Sequence, residues 1–103
     1  MRGMNDLVRQ AQVMQKKIQK AQEELAEKEV EASVGGGMVT VVANGNQEVK
    51  SVKIDPQAVD PDDVPMLEDL VLSAVNEALK KAKEMAEAEM GALTGGMKIP
   101  GMF

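Results

Sequence analysis

The chain is 103 residues long, 44% hydrophobic and 28% charged, which bounds it to one small globular domain rather than a disordered segment. It has no Cys and no His, and its one aromatic residue is Phe103; this excludes a disulfide framework and thiolate chemistry, and removes most zinc sites and the commonest general base. The net charge of −5 is unevenly divided: Met1–Gln22 sets Arg2, Arg9, Lys16, Lys17 and Lys20 against Asp6, Glu23–Val75 sets twelve acids against three lysines, and the remainder is balanced.

From the start of the chain, the spacing predicts a helix over Met4–Lys28. Met4, Leu7, Ala11, Met14, Ile18, Ala21 and Leu25 recur in steps of three and four, an a/d heptad pattern. No Pro or Gly interrupts after Gly3, and Glu, Gln, Lys and Ala fill the other positions. So narrow a stripe suits a seam with another helix along part of its length. A helix laid on its own sheet usually shows a wider one.

Glu29–Val34 changes period to strict alternation and reads as a strand with one solvated face. Gly35–Gly37 leads into another strand rather than a helix, so it reads as a turn and not as a phosphate loop. Met38–Ile54 then reads as a β-hairpin about Asn44-Gly45-Asn46, where a tight turn favours residues that tolerate positive φ. Val39, Val41, Val42, Val49, Val52 and Ile54 suit a pleated, half-buried surface. The step from Val49 to Val52 breaks alternation and predicts a bulge or a change of face near Lys50-Ser51. The result is a three-stranded meander.

Asp55–Pro65 is a loop rich in Pro and Asp. A calcium-binding reading that starts at Asp60 fails, because Pro65 stands where glycine is required and Val71 where glutamate is. The acids read instead as helix initiation, with Pro in the first turn. A second helix follows over Met66–Met90. Leu67, Leu70, Val71, Ala74, Val75, Ala78 and Leu79 form a wide stripe, and the pattern thins beyond Lys80. Its first half is expected to be buried and its second to project, with Gly91 as the stop. The remainder, 91–103, is a glycine-rich tail with Leu93, Met97, Ile99, Met102 and Phe103, either disordered or an apolar tag for a partner surface. Disorder is the expectation at a terminus. No segment has an apolar signal core or the length to cross a bilayer, which points to a cytoplasmic protein with no membrane partner.

Little chemistry remains. Ser33, Ser51 and Ser73 lie outside any nucleophile elbow, and pairs such as Glu23-Glu24 and Glu68-Asp69 read as solvated helix faces. No catalytic residue, metal, cofactor or small-molecule substrate is expected. The functional signal is a row of cations. Arg2, Arg9 and Lys16 recur every seven residues opposite the heptad stripe, with Lys17 and Lys20 beside them and glutamines between. Such a row suits contacts to phosphates. Lys80, Lys81 and Lys83 make a second cluster. Solubilising faces look much the same, so charge alone leaves both readings open. Stacking on aromatics usually holds single strands, and its absence here favours a duplex.

QAQVMQKKIQKAQEELAE near the start, the Asn44-Gly45 turn followed by EVKSVKIDP, then MLEDLVLSAVNEALKKAKE and the ending LTGGMKIPGMF occur in this order over nearly the whole chain. In these the sequence resembles the YbaB/EbfC family of bacterial nucleoid-associated proteins. The resemblance implies an α+β fold, α-β-β-β-α, with a single domain over residues 1–90. It also implies a homodimer with apposed sheets and helices projecting like tweezers, and a role in nucleoid organisation and gene regulation. The implied contacts to double-stranded DNA are Arg2, Arg9, Lys16, Lys17 and Lys20 on the first helix, then Lys80, Lys81 and Lys83 on the last. This chain departs from some members in lacking further basic residues near the N-terminus, and Glu84, Glu87 and Glu89 dilute the second cluster. The alternative is a prefoldin-like holdase or coiled-coil adaptor, to which the heptad stripe and adaptable Met positions are also suited.

Overall fold

The computed structural model describes residues 2–93, and the backbone alone at Arg2. Its elements run α1 (Arg2–Glu27), β1 (Glu29–Val34), β2 (Val39–Asn44), β3 (Val49–Ile54) and α2 (Val64–Leu93), with a 3₁₀ turn at Pro56–Ala58. The strands form an antiparallel sheet in the order β1-β2-β3. This is the α-β-β-β-α arrangement the sequence predicts. The glycines of the first turn have positive φ, 64°, 68° and 96° for Gly35, Gly36 and Gly37, and Val34 O accepts from Met38 N at 3.0 Å.

The predicted bulge is present. β3 pairs with β2 from Val39↔Ile54 to Val42↔Ser51, and then Ala43 faces Val49, so Lys50 is the extra residue. The insertion turns Val49, Val52 and Ile54 to the same face as Val39 and Val41.

α2 lies over that face along β1 and β2 but barely reaches β3. Ala74, Ala78 and Ala82, one per turn, are fully buried against Ala32, Val39, Val41 and Ala43. Small side chains bring the helix close to the sheet, while Leu67, Leu70, Val71, Val75 and Leu79 fill the flanks. β3 is left uncovered, with Val49, Val52 and Ile54 exposed by 41%, 46% and 37%. The half-buried surface expected there is realised on β2 and not on β3.

Two expectations for α2 are corrected. Its second half does not simply project: Ala86 and Met90 are buried with Leu25 of α1, and Ile18, Ala21, Met85 and Leu93 pack around them. Nor does Gly91 end the helix, which continues to Leu93. Packing against α1 outweighs the roughly 1 kcal/mol that a glycine costs inside a helix. At the other end, Asp63 Oδ1 accepts from Met66 N at 3.3 Å, with Pro65 in the first turn, as helix initiation requires. The predicted tail from Thr94 onward lies outside the described residues.

Candidate nucleic-acid interface

The site is an arm. α1 is rooted only by its last turns, and from Gly3 to Lys17 every residue is exposed. The molecule is accordingly long, 74 × 20 × 17 Å. The helix–helix seam predicted from the heptad is real but short. Leu25 is 2% exposed, whereas Met4 and Leu7, on the same stripe, are 63% and 64% exposed.

Polar groups fix the root as firmly as apolar ones. Gly45 N donates to Leu25 O at 2.8 Å and to Lys28 O at 3.0 Å, and the buried Asn44 donates through Nδ2 to Ala26 O at 3.2 Å. Asn44 Oδ1 accepts from Asn46 N and Glu48 N, each at 3.0 Å, and Nδ2 also donates to Glu48 Oε1 at 2.9 Å. The hairpin tip is thus both a turn and a clamp on the end of α1. Sequence reading found only the turn, and assigned the positive φ to the wrong place. The left-handed residue is Gln47, at 61°, and Gly45 is required because a Cβ there would stand 2.6 Å from Leu25 O. Lys28 adds an ion pair with Glu89 of α2. The hydrogen bond to that carboxylate holds the ammonium pKa above the usual lysine value, opposed by desolvation and aided by the charges of Glu89 and Glu24.

At 100° per residue, Arg9, Lys16 and Lys20 fall within about 40° of one another on α1, and Lys17 about 80° from Arg9. The first three lie opposite the stripe of Leu7, Ala11 and Met14. The span from Arg9 to Lys20 is about 17 Å. Among the described residues, Arg9, Lys16, Lys17 and Lys20 form no ion pair with a carboxylate. Arg2 lies on the helical backbone one turn and more beyond, so Gly3 does not break the helix before it. Nearer the sheet the same face turns acidic, at Glu23 and Glu27.

The lysines of α2 divide: Lys80 and Lys83 stand about 60° apart, and Lys81 about 100° from the nearer of them. Lys81 Nζ donates to Glu31 O on the edge of the sheet at 3.0 Å. Lys83 lines a small cleft with Gln22, Leu25, Gly45, Asn46 and Gln47. Lys80, about one turn before Lys83, is exposed. The acids of the 55–63 loop serve the backbone: Asp55 Oδ1 accepts from Gln57 N at 2.8 Å and Asp60 Oδ1 from Asp62 N at 2.9 Å. Among the described residues no group of three or more His, Cys, Asp or Glu could hold a metal ion, and no helix is long and apolar enough to cross a membrane.

The described residues form a two-layer α+β body carrying a cation-lined helical arm, a class of surface suited to an extended polyanion. Residues 1–97 match the YbaB/EbfC DNA-binding family, and the chain belongs to that family, which is not an enzyme class. It is 57% identical over 102 residues to a nucleoid-associated protein of Ruminiclostridium cellulolyticum, covering 98% of this chain and 89% of the relative. A nucleoid-associated protein of Acetivibrio thermocellus is 59% identical over 102 residues, with 98% and 90% covered. The fold is similar to the crystal structure of uncharacterized protein HP0035 from Helicobacter pylori, with a TM-score of 0.78 at 25% identity, covering 86% of this chain and 94% of that one.

Proposed function

We propose that the protein is a homodimer that holds duplex DNA at the bacterial nucleoid through phosphate contacts, changing the path of the DNA and thereby gene expression. The observation that carries this reading is the row Arg9, Lys16 and Lys20, unpaired and on one side of a projecting helix, with Arg2 continuing it. Lys17 supports the row from its flank. Lys80, Lys81 and Lys83 contribute less, because Lys81 donates to the carbonyl of Glu31, and Glu84 and Glu87 lie one turn from Lys80 and Lys83 on the same face. The twelve acids of Glu23–Val75 repel phosphate and leave the outer part of the arm as the surface that approaches it. The relatives' character as nucleoid-associated proteins supports the nucleoid as the setting, within the cytoplasm. Two-fold pairing would present two arms to one duplex, which is how bending or bridging would follow.

Titrating duplex binding with salt tests this. If two arms each place three cations on phosphates, log K falls against log salt with a slope of about −5. The triple variant R9A/K16A/K20A should lose most of that slope and bind random and defined duplexes equally poorly. Wild-type affinity that ignores salt, or that survives the triple variant, sinks the proposal. Suppression of client aggregation without any DNA binding would favour the holdase reading, for which the bare apolar stripe of α1 is the supporting observation.

A further inference from the structure

The apolar stripe of α1 continues unchanged past the point where its cover ends. α2 covers Leu25, Ala21 and Ile18 as far as Leu93, a member of the same cluster and the last residue described. Beyond Ile18 the stripe runs on through Met14, Ala11, Leu7 and Met4, and its three large side chains are exposed by 38% to 64%. Nothing in the heptad distinguishes the covered part from the bare one. Along α2 the partners pass from the sheet, at Ala74 to Ala82, to α1, at Ala86 and Met90; along α1 the residue nearest the sheet is Leu25. The two helices therefore leave the sheet side by side with opposite chain directions. A chain continuing past Leu93 is already heading along the bare stripe.

We propose that residues 94–103 of the same chain, TGGMKIPGMF, dock on the stripe of α1 between Met14 and Met4. Ten residues reach about 33 Å when extended. The stripe from Ile18 to Met4 is about 21 Å long. The segment carries Met97, Ile99, Met102 and Phe103 for an apolar surface, and one charge, Lys98, to keep in water. Gly95-Gly96 and Pro100-Gly101 favour an extended course over another helical turn. Met side chains on both sides suit an irregular fit. A second copy could offer its own α1 to the stripe, but a tethered segment competes at an effective concentration in the millimolar range. The docked segment lies opposite Arg9, Lys16 and Lys20, so this inference stands whether or not that row holds DNA.

Hydrogen exchange on the full chain provides the test, beside a chain ending at Leu93 and a full-length variant with Met97, Ile99, Met102 and Phe103 changed to Ser. Amides of residues 7–17 should exchange about tenfold faster in both variants, with those of 21–27 unchanged. The full-length variant guards against effects of truncation. A photoreactive phenylalanine analogue at Ala11 should join to 94–103 within one chain, giving a product of single-chain mass. Equal exchange at 7–17 in all three proteins overturns the proposal, as does a cross-link that forms only between chains.

Discussion

Asn44 and Gly45 hold the root of α1 through main-chain carbonyls at Leu25, Ala26 and Lys28. A methyl group at Gly45 would meet Leu25 O at 2.6 Å and Leu25 Cβ at 2.8 Å, and neither can give way without moving the helix. Gly45→Ala should therefore cost about 2–3 kcal/mol in urea unfolding, a large effect for one methyl. At Gln47, where φ is 61°, Gln47→Gly should instead be neutral or slightly stabilising in the same experiment. The Lys28–Glu89 pair contributes on a smaller scale, because both groups are wet, with side chains 50% and 25% exposed. Its pH dependence has a definite sign. The folded-state pKa of Lys28 is raised, so the contribution is complete below the ordinary lysine value of about 10.4 and is lost as pH rises through the folded value. The small gap in melting temperature between the wild type and Lys28→Gln should hold at neutral pH and close in strong alkali.

Within the elements, the faces of a helix decide which cations act together. Arg9 and Lys17 are both exposed cations of α1, yet they stand about 80° apart. Replacing Arg9 or Lys16 by Ala should each reduce the salt slope of duplex binding by about one to two for a two-armed dimer, and Lys17→Ala by less. Competition gels over a salt series measure this directly. Adjacent numbers do not mean one face on α2 either: Lys81 stands about 100° from Lys80 and about 160° from Lys83, while Lys80 and Lys83 are only about 60° apart. Helical wheel geometry could have set Lys81 apart from the other two, but its use by the carbonyl of Glu31 could not be foreseen without the sheet edge beside it. The Glu29–Val34 strand, the bulge near Lys50-Ser51 and the initiation of a helix after the acidic loop were legible because each depends on a few neighbouring residues. The extent of the α1–α2 seam was not, because Met4 and Leu25 occupy equivalent heptad positions and differ only in what lies across from them. For the same reason Gly45 read as a turn residue: its obligation is to Leu25 O, twenty residues away in the chain.

Among the described residues, the free edge of the sheet exposes an apolar surface that a monomer has no reason to keep. β3 is an edge strand, and its Val49, Val52 and Ile54 share the core face without a helix above them. Self-association along β3 would cover them and give the two-fold arrangement proposed above. Val52→Asp combined with Ile54→Lys should then reduce the mass seen by light scattering from twice the 11.0 kDa of the chain to that of one chain, while circular dichroism keeps its α+β form. Loss of duplex affinity should accompany the change in mass, because one arm then works alone. Charge is also segregated along the 74 Å length, with cations toward the far end of α1 and acids on the sheet and the 55–69 stretch. Such a molecule is an electric dipole. In the field of a polyanion it is turned before it touches, and it arrives tip first, so added electrolyte should slow its capture more than it hastens its escape.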